Sequence, residues 1–335
     1  MSGYVPSAMG APVGRGQRGR SRTRRFAAAE ALGRGRSVGI RSKDGIRLHA
    51  EVFGPEDGYP VVLAHGITCA LRVWAYQIAD LAKEYRVIAF DHRGHGRSAV
   101  PARRSGYSLD CLAGDIDAVL EATLAPGERA VIAGHSMGGI AISSWAERYP
   151  ERVPERADAV ALINTTTGDL LRHVQFIPVP RQLSAARVRA AGTLLKTFGA
   201  APLLRAADVP SRRFVSTLAV GRDADPAIAE FVFELFNGTP PAGRGGWARA
   251  LVDSLGTRQY IGLTNLSVPT LVIGSEKDRL LPMVSSRRIA KEVPNLAQFV
   301  ELSGGHCAIL ERPEAVNKHL RWLIDSVTEE RRVSS

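Results

Sequence analysis

Cysteine is scarce in this sequence: Cys69, Cys111 and Cys307 are the only three in 335 residues. An odd number without a Cys-x-x-Cys pair excludes a disulfide framework or a cysteine-rich zinc module as the basis of the fold. It fits a reducing, cytoplasmic setting. Long apolar runs are missing too, and nothing approaches the ~20 residues that a transmembrane helix needs. A secretory leader is also not expected. Residues 27–32 are short, broken by Glu30 and followed by Arg34 and Arg36, so no apolar h-region remains. Thr23-Arg24-Arg25-Phe26 has the paired arginines of a twin-arginine signal but not the apolar stretch beside them.

Acidic residues are nearly absent from the first 36 positions. Eight Arg against Glu30 give this tail +7 of the chain's formal +11, which leaves an ordinary +4 for the rest. The tail is rich in Gly, Arg and Ser and poor in large apolar residues, so we expect residues 1–36 to be a disordered basic tail. Phe26 is the one aromatic residue among its arginines, too little to make a stacking platform for bases. It reads as a solvated extension rather than as an arm for nucleic acid or anionic membrane.

What is present is the material of a globular protein, 45% hydrophobic and 23% charged. The length suits one large core carrying an inserted sub-domain. Residues 38–41 and 46–53 alternate apolar and polar side chains around Asp44-Gly45, which predicts an antiparallel hairpin at a sheet edge. The pattern then changes to short continuous apolar runs at 61–64, 87–90, 130–133, 159–163 and 270–273, with a last strand candidate at 298–302. Such runs suit buried parallel strands. Helical spacing lies between them at 74–83, 109–123, 140–149, 285–292 and 313–327. Alternating strands and helices imply an α/β fold, a mostly parallel sheet covered on both faces. Residues 165–255 break the rhythm with helical pieces only, which reads as a helical lid or cap. The expected order is tail 1–36, core 37–164, lid 165–255, core 256–328 and C-terminal tail 329–335.

The chemistry centres on Gly134-His135-Ser136-Met137-Gly138, directly after one strand and directly before a helix. A G-x-S-x-G sequence in that context forces a sharp strand-to-helix turn and presents the serine Oγ at the helix N-terminus, where negative charge is favoured. Serine at its free pKa is a weak nucleophile and needs a base. Asp278 and His306 each follow a predicted strand, in the chain order Ser, Asp, His. Ser136 would be the nucleophile, His306 its base and Asp278 the group that orients the imidazole. Glu276 is the rival acid. Backbone N–H groups of Met137 and, from the loop His65-Gly66-Ile67-Thr68, of Ile67 would form the oxyanion hole. His92 and His95 share a glycine-rich loop, but no third ligand stands near them in sequence, so no metal is expected. Gly94-x-Gly96-x-x-Ala99 superficially matches a dinucleotide loop, but Val100-Pro101 intervenes where a helix must open. No cofactor is expected.

His65-Gly66, the loop 91–98 (Asp-His-Arg-Gly-His-Gly-Arg-Ser), the turn 134–139 and the positions Asp278 and Gly304-Gly305-His306 together resemble the α/β-hydrolase superfamily. The likeness covers about residues 37–328, least in the inserted segment. The chain is most similar to bacterial, actinobacterial-type serine lipases and esterases. The resemblance implies an α/β-hydrolase fold and an esterase or lipase acting on a small-molecule ester or lipid-like substrate, and in that family the 91–98 loop is largely structural. Haloalkane dehalogenases and epoxide hydrolases of the superfamily use an aspartate nucleophile where Ser136 stands here. Epoxide hydrolases also use lid tyrosines, and no Tyr occurs between Tyr149 and Tyr260. Carbon–carbon bond hydrolases, cofactor-free haloperoxidases and non-catalytic binding members of the fold stay open. In the lid, Leu170, Leu171, Val174, Phe176, Ile177 and Val179 form one apolar cluster and Phe231, Val232, Phe233, Leu235 and Phe236 another. They either pack the lid onto the core or line an acyl pocket.

Overall fold

Eight strands form one sheet in the order β1-β2-β4-β3-β5-β6-β7-β8. They are β1 (Arg36–Arg41), β2 (Arg47–Phe53), β3 (Pro60–Ala64), β4 (Arg86–Asp91), β5 (Ala130–His135), β6 (Ala157–Ile163), β7 (Thr270–Ser275) and β8 (Leu296–Leu302). The computed structural model describes residues 32–171, 208–256 and 259–334, and positions 190, 192, 193 and 197. Residues 1–31 of the basic tail, His173 and the apolar residues Val174, Phe176, Ile177 and Val179 lie outside the described residues.

The Asp44-Gly45 hairpin pairs β1 with β2 antiparallel, and β2 meets β4 antiparallel. From β4 onward all neighbours are parallel. Each short apolar run therefore sits inside the sheet, where both of its faces need apolar side chains. Along β5, Ala130 and Ile132 join one buried cluster, and Val131 and Ala133 join the other. The first cluster packs under helices α2 (Leu109–Thr123) and α3 (Met137–Arg148), the second under α1 (Ala75–Leu81). Each fully buried Val, Leu or Ile contributes about 1.5–3 kcal/mol, so a polar residue in any of these runs would be strongly destabilising.

Helix α4 (Arg152–Arg156) precedes β6. It has no counterpart in the sequence reading, because Pro154 argues against a helix unless it falls in the first turn. Helices α5 (Asp208–Ala219), α6 (Pro226–Gly238) and α7 (Pro241–Leu255) lie between β6 and β7. Asp225 caps α6 by accepting from Ala227 N–H at 2.8 Å. Phe231, Val232 and Phe233 are buried in the same apolar cluster as Leu63, Ala133 and Leu310, so this part of the insertion packs onto the core. After β7 come α8 (Met283–Glu292), the short α9 (Ala308–Glu311) and α10 (Pro313–Ser334).

Two of the differences from the sequence reading fall where the tails were expected. Strand β1 begins at Arg36, which pairs with Val52. Helix α10 continues to Ser334, through the residues read as a C-terminal tail. Residues 328–334 contain no Gly or Pro to stop a helix.

Candidate active site

The carboxyl ends of β5, β6, β7 and β8 carry Ser136, Asn164, Asp278 and His306, at the edge where open parallel sheets place their sites. Ser136 has φ 53° and ψ −118°, a conformation that costs a non-glycine residue about 1–3 kcal/mol. The surroundings enforce it. Ser136 N–H donates to Ile163 O at 3.0 Å, and Thr165 Oγ1 donates to Ser136 O at 2.7 Å. A Cβ on Gly138 would lie 2.0 Å from Ala64 O, and one on Gly134 would lie 2.5 Å from the Gly138 carbonyl carbon. Only glycine at both positions lets strand and helix meet around the serine.

Ser136 Oγ lies 2.9 Å from His306 Nε2, and His306 Nδ1 lies 2.7 Å from Asp278 Oδ2. All three residues are buried. Asp278 Oδ1 accepts from the N–H groups of Leu280 and Leu281 at 2.9 and 2.8 Å. Asn164, which the sequence reading missed, donates from Nδ2 to Asp278 Oδ2 at 3.0 Å, and Ser275 Oγ donates to Asn164 Oδ1 at 3.3 Å. With its outer oxygen held by two backbone donors, Asp278 turns the other toward His306. Glu276, the rival acid, is exposed. His135 Nε2 donates to the His306 carbonyl at 2.9 Å and so grips the main chain of the same residue.

The loop after β3 lies against the serine. A Cβ on Gly66 would sit 3.0 Å from Ser136 Cβ, and Ile67 follows it. Among the described residues, neither Ile67 N–H nor Met137 N–H donates to a protein acceptor. The loop is braced by histidines that the sequence reading did not join. Thr68, at φ 59°, donates its N–H to His95 Nε2 at 3.0 Å, and His95 Nδ1 then donates to Arg93 O at 3.1 Å. His65 Nε2 accepts from His92 N–H at 3.0 Å, while its Nδ1 donates to Gly66 O at 2.7 Å.

Burial disfavours the charged imidazole. It holds His65 well below the ordinary histidine range, His95 at about 4, and His92 and His135 at about 3. His65 does stand beside His92 and His95, with ring centroids 4.7 and 5.2 Å away. The ring nitrogens of His65 and His95 face backbone groups, however, those of His92 have no hydrogen-bond partner among the described residues, and no group of side chains suited to a metal ion occurs among the described residues. Asp91 Oδ1 and Oδ2 accept from Leu71 N–H and Arg97 N–H at 2.8 and 2.9 Å. Arg93 pairs with buried Asp115, two bonds at 2.6 Å each. The 91–98 loop is thus a scaffold behind the site.

The fold agrees with comparisons to known proteins. The family profile of the α/β-hydrolase fold matches residues 59–313. Bifunctional epoxide hydrolase 2 of Mus musculus is 28% identical over 85% of this chain and 54% of its own length. A protein of Variovorax paradoxus whose name assigns it carbamate hydrolysis is 28% identical over 82% of this chain and 94% of its own. The chain spans about half, or less, of the length of several relatives that it matches. A thermophilic esterase from Thermogutta terrifontis superposes with a TM-score of 0.68 at 24% identity, over 88% of this chain and 99% of that one. The profile covers more than half of the chain: the chain belongs to the α/β-hydrolase family.

Proposed function

We propose that this hydrolase cleaves carboxylic esters through an acyl-enzyme. Ser136 Oγ attacks the ester carbonyl while His306 Nε2 takes its proton. Asp278 holds the imidazole with its proton on Nδ1 and stabilises the imidazolium that forms. The N–H groups of Met137 and Ile67, at a helix N-terminus and in a loop fixed by His95, bind the oxyanion as charge develops. His306 then protonates the leaving alcohol. A water deprotonated by the same nitrogen attacks the acyl-enzyme, and the acid leaves. The observation that carries the reading is the unbroken hydrogen-bonded run from Asp278 through His306 to a serine held in a strained turn.

Epoxide hydrolysis, named in the mouse relative, is not proposed, because a serine stands where that chemistry in this superfamily uses an aspartate. Carbamate hydrolysis is the second reading. It is favoured by the Variovorax relative, which is matched over nearly its whole length, and a carbamate carbonyl would meet the same nucleophile. We read the insertion 165–255 as a lid or cap, and a cytoplasmic location is favoured by three unpaired thiols.

The test is hydrolysis of p-nitrophenyl esters of increasing acyl length, with a p-nitrophenyl carbamate alongside, by wild type and Ser136→Ala. Turnover by wild type and a loss on the order of a million-fold in the variant are expected. The preferred acyl length then sizes the pocket. A wild type silent on every ester overturns the ester reading, and equal activity in both proteins overturns the choice of nucleophile.

A further inference from the structure

One buried carboxylate connects the inserted helices to His306. Glu311, in α9, is 8% exposed. Its Oε2 accepts from Gly305 N–H at 2.9 Å and from Gly221 N–H at 3.0 Å. Gly305 is the residue before His306, and Gly221 lies just beyond α5. On the other side of His306, Cys307 N–H donates to Ala219 O at 3.0 Å. The main chain that presents the imidazole is therefore fastened to segment 219–221 both before and after His306.

The glycines make this approach possible. A Cβ on Gly305 would lie 2.3 Å from Gly221 N and 2.7 Å from the Val220 carbonyl carbon. The two backbones meet around a single carboxylate oxygen only because neither residue has a side chain. Hydrogen bonds to an ionised acceptor are roughly twice as strong as neutral ones. Two of them converge here on an oxygen whose donors lie 90 and 6 residues away in sequence. A carboxylate that merely capped its own short helix would need neither donor.

We propose that Glu311 is a positioning residue that locks the backbone of His306 to the seated inserted helices, so that the imidazole faces Ser136 Oγ only while segment 219–221 is docked. The inference rests on His306 being the base, as read above. Losing the lock should lower turnover even on substrates too small to touch the insertion.

Three variants test this. Glu311→Ala removes both bonds. Glu311→Gln keeps an oxygen that can accept from both N–H groups. Gly221→Ala leaves the carboxylate in place but sets a Cβ 2.7 Å from its Oε2. Each is assayed on p-nitrophenyl acetate with sites counted by complete fluorophosphonate labelling, and the low-field Nδ1–H proton of His306 is followed by NMR on the same samples. A small misplacement of a reacting group costs about 100-fold. Glu311→Ala and Gly221→Ala should each lose about that much kcat per labelled site, with KM unchanged and the Nδ1–H signal broadened. Glu311→Gln should keep both kcat and the signal. Wild-type kcat per site and a wild-type signal in Gly221→Ala and in any folded Glu311→Ala would overturn the proposal, whatever their melting temperatures. If Glu311→Ala does not fold, Gly221→Ala decides. A wild type that neither hydrolyses esters nor takes up fluorophosphonate defeats the ester reading alone, and the Nδ1–H signal still decides this one.

Discussion

Asp278→Asn is the substitution whose outcome the geometry dictates most closely. Asp278 Oδ1 faces two donors, the N–H groups of Leu280 and Leu281. In the variant, only the amide oxygen can occupy that place. The NH₂ group then takes the position of Oδ2, 2.7 Å from His306 Nδ1 and 3.0 Å from Asn164 Nδ2. Asn164 can adapt by turning its amide, because the Ser275 hydroxyl can accept as well as donate. His306 cannot adapt. A donor facing Nδ1 moves its proton to Nε2, the nitrogen that must accept from Ser136. Turning the introduced amide instead would restore the imidazole but orphan two backbone N–H groups, at about 1–3 kcal/mol each. The expected loss is that of a wrong tautomer, about 10⁴-fold in kcat, or about 5.4 kcal/mol at the transition state. Stopped-flow release of p-nitrophenol measures the acylation step directly. Glu276→Gln is the control and should leave that step unchanged, since Glu276 is exposed. An Asp278→Asn enzyme keeping more than about a tenth of the wild-type acylation rate, against the expected 10⁴-fold loss, refutes the reasoning. So does a comparable loss in Glu276→Gln.

The strands and the chief residues of the candidate site were legible in the sequence because each rests on a local pattern. Continuous apolar runs mark buried parallel strands, and all five occur as such, while the last candidate, 298–302, is the parallel edge strand β8, none of whose residues is buried. Ser136 follows from its turn, and Asp278 and His306 from strand ends taken in chain order. Helix α3 begins at Met137 rather than 140 because the turn's own glycines are already helical. What stayed hidden depends on long-range pairing. Asn164 reaches Asp278 across 114 residues, and Gly221 reaches Glu311 across 90. Asn164 did leave a signal, since it directly follows the run 159–163 and occupies the kind of strand end that singled out Asp278. Glu311 left none, for it sits in a four-residue helix that no periodicity can mark. The histidine brace was hidden for the same reason. His65 and His95 act on backbone groups of loops distant in sequence, and spacing alone suggested only an incomplete metal site.

Gly138→Ala should fail at the turn, because its Cβ would lie 2.0 Å from the Ala64 carbonyl oxygen, which is backbone and cannot swing away. We expect a stability loss of at least about 1–3 kcal/mol and a fall in kcat of about 100-fold. A wild-type melting temperature with wild-type turnover would contradict this. The buried histidines predict acid lability. Their folded pKa values lie near 3 to 4, against 6.5 for a free imidazole. Between those limits the unfolded chain binds protons that the folded chain does not, so stability rises with pH in that window. It is fully present above about pH 6.5 and is lost as pH falls toward 4, each histidine contributing about 1.4 kcal/mol per pH unit. His92 allows the sign and size to be isolated. Both of its ring nitrogens are buried without a hydrogen-bond partner among the described residues, so His92→Leu removes a titrating group without breaking a side-chain bond seen there. Urea unfolding at several pH values should show the slope reduced by about 1.4 kcal/mol per pH unit in the variant, with stability near neutrality preserved. An unchanged slope would mean that His92 takes up its proton in the folded state, and that the burial argument for this loop is wrong.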